Sequence, residues 1–268
     1  HFLLYNELGL QRVSLFLLLF ILPFAIKAQT DFKDDSYILT KKLWEDSSRY
    51  EAIKLYKKDS IRIRWVPFLN KLQYVQAHPY NWNDGAMVPS KGWQQLIRAG
   101  VNAQWKFVEL QIAPEMVLAQ NQLFDGLPLD ADEVLWRDYY RFYNFIEEPE
   151  RMGTTQYTKL FGGQSYLQYS FKNTSVQFST ANKWWGPGFR NALVLSNNAP
   201  GFPHISIASK QPLKTKIGSF QYEFIWGQLL NSNYPPPNNY LSYNGEQIYA
   251  QKEDRTRSFQ AMHIRYIP

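Results

Sequence analysis

Alternation of apolar and polar residues constrains this chain more than any other feature of its sequence. In Leu167–Phe171, apolar side chains at every second position flank Gln168 and Ser170, and the same pattern recurs in Phe220–Trp226. Successive side chains of a β-strand point to opposite faces, so each segment predicts a strand with one apolar and one polar face. We therefore expect an antiparallel all-β fold whose two surfaces differ in chemistry.

Shifts in the phase of this alternation predict tight hairpins. Apolar residues occupy odd positions in Val101–Trp105 and even positions in Val108–Ile112, and a similar shift occurs at Lys172–Asn173. A shift of one position sends side chains to the opposite face unless the chain reverses there. With further strands at Ile61–Trp65 and Ile205–Ile207, the pattern predicts about eight strands.

Composition indicates which kind of β-protein this is. Aromatic residues form 17% of the chain, yet its mean hydropathy is -0.42. A transmembrane barrel combines these properties, because each strand alternates lipid-facing apolar with lumen-facing polar residues and carries aromatic girdles at both interfaces. The sequence thus predicts an antiparallel transmembrane β-barrel, partial in this chain, with a small helical element.

The first residues have the layout of a signal peptide. Arg12 precedes the apolar run Val13–Ile26, and the small residue Ala28 provides a cleavage site. The run is about 14 residues long and contains Pro23, which is short for a helix that must cross roughly 30 Å of hydrocarbon, so a permanent anchor is the weaker alternative. The prediction is export to the cell outer membrane through a cleavable signal peptide.

Three regions follow from this interpretation: a signal peptide at 1–28, a periplasmic N-terminal segment at 29–60 and a partial barrel at 61–268. The chain lacks an initial Met and its last residues read as a strand, so we expect it to be part of a longer protein. A short helix is expected around Leu43–Tyr56.

Two segments inside the barrel region interrupt the strand pattern. A helical insertion is predicted at about 129–147, where Asp130 is the expected N-cap and Pro149 ends the helix. Apolar residues surround most of this helix, so it should be buried against other protein. Tyr234–Asn244 contains three consecutive prolines and is predicted to be an extended, exposed loop.

Several kinds of chemistry are not expected. The chain has no Cys, which removes disulfides, thiolate catalysis and Cys-type metal sites, and it carries no catalytic or phosphate-binding motif. Neither an enzyme nor a metal or cofactor is therefore expected. Glu147, Glu148 and Glu150 adjoin a helix end and are interpreted as a solvated charge cluster. The net charge of +6 mildly favours acidic partners, but no basic run indicates nucleic acid.

A long motif at Ser179–Asn191, with two adjacent tryptophans before Gly-Pro-Gly, continues through Leu195–His204. Supporting blocks are His78–Gly85, Ala113–Glu115, Ala119–Asn121, Glu148–Gly153 and Gln211–Gly218. On these residues the chain resembles the capsule assembly Wzi family, although Met152 stands where an aromatic residue is expected. The resemblance implies an outer-membrane barrel of about eighteen strands with a helical element on its periplasmic side. It also implies a lectin role in attaching capsular polysaccharide to the cell surface.

Candidate polysaccharide-binding residues combine flat rings for sugar faces with planar polar groups for hydroxyls. They are Trp184, Trp185, Arg190, Asn191, Asn197, Asn198, Tyr80, Trp82 and Asp84. The first three are predicted to matter most for retention of polysaccharide. An architectural alternative stays open, in which the glycines make a tight turn, the tryptophans anchor it to the barrel, and the Asn and Asp side chains cap turns.

Two inward-facing basic residues, Arg62 and Arg64, also have two interpretations. They either attract an acidic polysaccharide or pair with lumen carboxylates, and pairing is favoured. The carboxylates considered are Glu109, Glu115 and Glu223.

The favoured function is a non-enzymatic outer-membrane lectin whose partners are capsular or surface polysaccharide and outer-membrane lipid, with the oligomeric state left open. The alternatives are a porin or transport channel, and an outer-membrane hydrolase whose catalytic residues lie outside this sequence. A channel keeps a wet, charged constriction, whereas a plugged lectin barrel fills its lumen with aromatic residues and loops.

The alternation predicts which side chains contact lipid. We expect one set to face lipid, namely Leu167, Tyr169, Phe171, Phe220, Tyr222, Phe224 and Trp226. The residues between them, Gln168, Ser170, Gln221 and Glu223, should face the interior. Lipid-soluble labelling of single-Cys variants should therefore modify positions 222 and 224 more heavily than positions 221 and 223. Heavier labelling at the polar positions would contradict the assignment.

Overall fold

The computed structural model describes the backbone of residues 54–58, 61–146, 149–186, 192–251 and 256–268. The predicted signal peptide and almost all of the predicted segment 29–60 lie outside these residues. Fourteen β-strands and one helix, α1, form within the described ranges. Their bounds are β1 Lys54–Lys58, β2 Ile61–Val75, β3 Gly92–Trp105, β4 Val108–Ile112, β5 Glu115–Ala119, α1 Glu133–Ile146, β6 Tyr157–Phe161, β7 Tyr166–Phe171, β8 Thr174–Ser179, β9 His204–Ser209, β10 Leu213–Thr215, β11 Gly218–Leu229, β12 Ser242–Tyr243, β13 Glu246–Gln247 and β14 Arg257–Ile267.

Twelve of these strands form one sheet with antiparallel pairing, and β12 and β13 form a separate small hairpin. The sheet begins with β1, β2 and β3, continues through β4, β7, β8, β9 and β11, and β14 pairs with β11. β4 and β5 pair with successive parts of β3, so together they form one long strand with a break in the middle. β6 with β7, and β9 with β10, are interrupted in the same way. When each broken strand is counted once, the described part of the sheet has nine strands, one more than the eight predicted.

The interruption between β4 and β5 has a steric cause. A Cβ on Gly100 of β3 would lie 2.2 Å from the carbonyl oxygen of Ile112 and 2.7 Å from Ala113. Only glycine permits this approach of the two backbones. The chain bends here and then resumes pairing with β3.

Short turns lie at one end of the sheet and long loops at the other. The turns after Trp105 and Phe171 contain two residues each, with Lys106 and Lys172 at φ 49°. Positive φ in a two-residue turn matches the twist of the flanking strands, and both predicted hairpins are confirmed. The described parts of the long connections 76–91, 120–156, 180–203 and 230–256 lie at the opposite end, here called the loop end.

Strand register divides the sheet into an outer apolar face and an inner polar face. Leu167 lies beside Phe178, and these side chains are 49% and 56% exposed. Gln168 lies beside Gln177 on the other face, where the Gln177 Nε2 donates to the Gln168 Oε1 at 3.3 Å. The alternation predicted for β7 and β8 is confirmed.

Arg64 differs from its predicted pairing with a carboxylate. Its Nη2 donates to the Oδ1 of Asn102, 3.2 Å away, and Asn102 in turn donates to Glu109 at 2.8 Å. Asn102 lies directly opposite Arg64 in the ladder and therefore stands between the two charges. Arg64 is therefore linked to Glu109 through the Asn102 side-chain amide.

α1 begins two residues later than its predicted N-cap, Asp130, requires. The Oδ1 of Asp132 accepts a hydrogen bond from the backbone N–H of Val134 at 3.0 Å, so Asp132 is the N-cap and Asp130 is not. The N–H of Ala131 donates to the carbonyl of Pro128. This turn keeps Asp130 outside the helix.

The burial of α1 against other protein that the sequence predicts is limited to one face of the helix. Trp136 and Tyr140 are 3% and 2% exposed, but Phe142 and Phe145 are 62% and 85% exposed. The buried face packs with Tyr249 of the last long loop. Within the described residues, no helix is both long enough and apolar enough to span a membrane.

The proline-rich loop and the N-terminal helix also depart from expectation. Tyr234–Asn244 is largely a loop, but Pro236 is buried because hydroxyls of α1 donate to the neighbouring carbonyls, so the loop is not exposed throughout. The end of the helix expected at Leu43–Tyr56 is wrong, because Lys54–Lys58 forms β1 against β2. The rest of that segment lies outside the described residues.

The inner side of the sheet is packed at the loop end. Ala86, Met87 and Val88 of the first long loop are at most 5% exposed and cluster with Leu96 and Val117 of the inner face. Met152 packs against this cluster. The first long loop therefore packs against the inner face of the sheet at this end.

The inner ion pair of Arg98 and Glu115 yields a stability prediction. Their side chains are 14% and 5% exposed, and the Arg98 Nη1 lies 3.4 Å from the Glu115 Oε1. Glu115→Ala leaves the Arg98 charge without its partner and should lower the free energy of unfolding by about 3 kcal/mol. Urea unfolding of the full-length protein in detergent, followed by tryptophan fluorescence, measures this change.

Glu133→Ala is the matched control, because Glu133 forms an exposed i,i+4 pair with Arg137 on α1. Such surface pairs contribute about 0.5 kcal/mol or less. Equal losses in the two variants would mean that the inner pair has no special role.

Candidate functional site

Two loops that the sequence singled out separately meet at the loop end. The backbone N–H of Gly85 donates to the carbonyl of Asn197 at 2.7 Å, and the N–H of Asn83 donates to the Asn198 Oδ1 at 2.8 Å. The Nδ2 of Asn81 also donates to the Asn198 carbonyl at 3.4 Å. We call the segments 78–85 and 195–200 together the loop junction. It joins residues more than a hundred positions apart in the chain.

Asp84 shapes the first of these loops. Its Oδ2 accepts from the backbone N–H of Trp82 at 3.3 Å, and its Oδ1 forms an ion pair with Lys71 of β2. Gly85 has φ 66°, as expected for a turn residue. Asp84 therefore has the architectural role that the sequence left open for it.

The rings of the same loop remain open to the surroundings. Tyr80 is 66% exposed and Trp82 is 52% exposed. Because Asp84 and the second loop fix the backbone beneath them, these rings are presented on an ordered base. Exposed, pre-positioned aromatic rings are suited to stack on an apolar ligand face.

Two amide oxygens of the loop junction have no hydrogen-bond donor within the described residues. The Oδ1 atoms of Asn81 and Asn197 are buried and accept no hydrogen bond within the described residues. Leaving a buried acceptor unmet costs about 1 to 3 kcal/mol. A ligand hydroxyl that reached these oxygens would remove that cost.

Trp185 has a different environment from Trp82. It is 5% exposed, its Nε1 donates to the Glu223 Oε2 at 2.9 Å, and its ring stacks on His263 at 5.4 Å between centroids. The Nζ of Lys183 donates to the other oxygen of Glu223 at 2.7 Å. These contacts anchor the start of the second loop to β11 and β14 on the inner face.

The remaining predicted residues are divided between described and undescribed parts of the chain. Trp184 is partly exposed. Arg190 and Asn191 lie outside the described residues. Gly186 has φ 132°, and a Cβ there would lie 2.9 Å from the Leu193 side chain, while the rest of the turn expected after it lies outside the described residues.

Sequence reasoning missed the supporting residues of this site. Asn81 adjoins the predicted set, and its position in a segment rich in Asn and Asp was an available signal. Glu223 was predicted to face the interior, but its pairing with Lys183 carries no local signal, because the two residues meet only through the folding of β8 and β11. Within the described residues, no group of three or more His, Asp or Glu side chains is placed to hold a metal ion.

The bond from Trp185 to Glu223 predicts a measurable contribution to stability. Trp185→Phe keeps an aromatic ring but removes the N–H donor, and a bond to a charged group contributes about 2 kcal/mol. The urea midpoint of the full-length protein in detergent should fall accordingly. Trp82→Phe, at an exposed position, should change the free energy of unfolding by about 0.5 kcal/mol or less. Equal midpoints for both variants would argue against an anchoring role.

The sequence that forms this site matches a known protein family. The family described as "Capsule assembly protein Wzi" matches residues 90–246, more than half of the chain. The match includes the second loop of the junction, while His78–Gly85 lies before it. Comparisons with curated proteins and with solved structures give no match. The chain therefore belongs to the Wzi family of capsule assembly proteins, a family of the outer membrane.

Proposed function

We propose that this protein is an outer-membrane lectin that holds capsular or other surface polysaccharide on the cell, and that the loop junction is its binding surface. The observation that carries this proposal is that the loop junction combines two exposed rings, Tyr80 and Trp82, with buried amide oxygens that have no partner in the described residues. Sugars present apolar ring faces and hydroxyls that donate and accept, and both kinds of group find a counterpart here.

A membrane location is supported by the outer face of the sheet. At aligned positions in five neighbouring strands, the exposed fractions lie between 41% and 56%. These side chains are Leu110, Leu167, Phe178, Ile205 and Trp226. A continuous apolar surface of this kind suits contact with lipid tails.

Aromatic residues lie at both ends of this surface. Near the loop end, Tyr74 and Trp93 have ring centroids 4.9 Å apart, and near the hairpins Trp105 and Phe107 are 50% and 61% exposed. From Trp93 to Trp105, β3 runs about 40 Å, which at a tilt of about 40° corresponds to a height of about 30 Å. This height agrees with the apolar thickness of a bilayer.

The positions of turns and loops support an orientation. Barrels of the outer membrane have short periplasmic turns and longer extracellular loops. The loop end, with the junction and α1, then faces outward, where capsular polysaccharide lies. In this orientation α1 is not the periplasmic helical element that the family resemblance implies.

A channel is the second candidate, favoured by the polar inner row that includes Gln168, Gln177 and Lys183. Against it, Ala86, Met87 and Val88 fill the inner side at the loop end. Conductance of the full-length protein across a planar bilayer, compared with its binding to a glycan array, discriminates the two functions. Open-channel conductance without glycan binding would overturn the lectin proposal.

Substitution of the junction rings tests the binding surface. Trp82→Ala and Tyr80→Ala should each lower the affinity for purified capsular polysaccharide by about tenfold or more, because each removes a stacking ring without touching the sheet. Trp184, Arg190 and Asn191 remain predicted contacts from the second loop, whereas Trp185 should act through folding. Heat-modifiable migration on gels establishes that each variant folds before its binding is measured.

Tyr243→Ala is the matched control, since Tyr243 is 50% exposed and belongs to the separate hairpin β12–β13. Its affinity should equal that of the parent protein. Folded Trp82→Ala and Tyr80→Ala proteins that bind at the parent level would exclude the junction as the binding surface.

A further inference from the structure

A partly enclosed cavity of about 160 Å³ lies beside α1 and shares no lining residue with the loop junction. It is bounded by the segments that precede and follow α1 and by the proline-rich loop. We call it the helix pocket. Its walls include Phe124, Trp136, Tyr139, Glu150, Arg151 and Pro237.

Hydrogen bonds from α1 hold the walls of the helix pocket in place. The hydroxyl of Tyr139 donates to the Glu150 carboxylate, and that of Tyr140 donates to the Asn238 carbonyl at 2.6 Å. Tyr143 donates to the Tyr234 carbonyl at 2.7 Å. Burial raises the pKa of Tyr140 and the pKa of Tyr143 to about 12, so both hydroxyls remain donors at neutral pH. The pocket is therefore formed before any ligand arrives.

One donor in the pocket wall has no acceptor. Trp136 is 3% exposed, and its Nε1–H makes no hydrogen bond within the described residues. Its ring packs edge to face on Tyr139, with centroids 5.5 Å apart. A buried indole N–H normally finds a partner, so this orphaned group at the wall of a cavity indicates that a ligand atom can satisfy it.

Two charged side chains supply further polar groups. Glu150 was interpreted from the sequence as part of a solvated cluster, but here it is only partly exposed and accepts from Tyr139. The Nε of Arg151 donates to the Gly153 carbonyl at 2.8 Å. This hydrogen bond involves neither of the two terminal guanidinium nitrogens. The pocket thus has an acceptor at Glu150 and donors at Arg151 and Trp136.

We propose that the helix pocket binds a single neutral pyranose residue at a chain end or side branch of a surface polysaccharide, with its hydroxyls between Glu150, Arg151 and Trp136. The identification of the ligand as a sugar rests on the proposed function. A sugar offers an apolar face to the aromatic wall and hydroxyls that both donate and accept. Glu150 would repel an anion and Arg151 would repel a cation. A neutral ligand that both donates and accepts hydrogen bonds therefore fits best. The small volume suits a single sugar ring.

Nuclear magnetic resonance of the full-length protein in detergent, labelled at the tryptophan indole nitrogens, tests this site directly. The probes are the methyl glycosides of glucose, galactose and mannose, with methyl glucuronide as the charged comparison. Trp136→Phe identifies the Trp136 signal among the nine tryptophans of the chain. At least one neutral glycoside should shift that signal saturably, because its indole N–H gains an acceptor.

Calorimetry of the same glycoside with variants measures each contribution. Trp136→Phe should weaken binding about fivefold to tenfold, and Glu150→Gln, which keeps the side-chain shape, about tenfold or more. Trp226→Phe and Glu246→Gln are matched controls outside the pocket and should bind as the parent does. A Trp136 signal that no glycoside moves, or that only the glucuronide moves, would overturn the proposal and leave a water-filled cavity or an anion site.

One further titration separates this inference from the proposed function. The Trp82→Ala variant should keep the Trp136 response to the glycoside even if its retention of polymer falls. A response that disappears in Trp82→Ala, while the variant remains folded, would overturn the independence of the helix pocket. Loss of polymer binding in Trp82→Ala with an unchanged Trp136 response supports both sites.

Discussion

The two-residue period of the strands turns every second side chain to the inner face of the sheet, and each polar group buried there needs a partner. Glu223 illustrates the consequence. Its position on β11 points its carboxylate to the inner face, where Lys183 and the Trp185 indole satisfy it. Both donors belong to the loop that follows β8. The partly buried carboxylate on β11 therefore holds the start of this loop against the inner face. The loop junction depends on this tie, because the same loop continues to Asn197 and Asn198.

Much of the sheet follows from local sequence. The hairpins at Lys106 and Lys172 were predictable from the phase shift in the alternation. Only a reversal of the chain keeps the apolar side chains on the same face after such a shift. The assignment of Leu167 and Gln168 to opposite faces needed only the period of a strand. The interruption at Gly100 was not predictable in this way, since it arises where one backbone approaches another.

The candidate site was predictable in residue type but not in arrangement. Trp82 and Trp185 looked alike in the sequence, yet one ring is exposed and the other is held inside the sheet by Glu223. The start of α1 was placed too early because Asp130 and Asp132 are equally good caps, and only the turn at Pro128 selects between them. Each miss concerns a contact between segments that are distant in sequence or a choice between two equivalent local signals.

Some of the buried polar atoms that have no partner within the described residues lie at the two proposed sites. Asn81, Asn197 and Trp136 each leave one such atom within the described part of the chain, and all belong to connections at the loop end. An unmet buried group destabilises the fold by about 1 to 3 kcal/mol, a cost that the ladders of the sheet offset. A ligand that supplies the missing partner recovers this free energy on binding, so a loop that is imperfectly satisfied when empty gains affinity when occupied. These atoms are therefore the groups through which the two proposed sites would gain hydrogen bonds from a polar ligand.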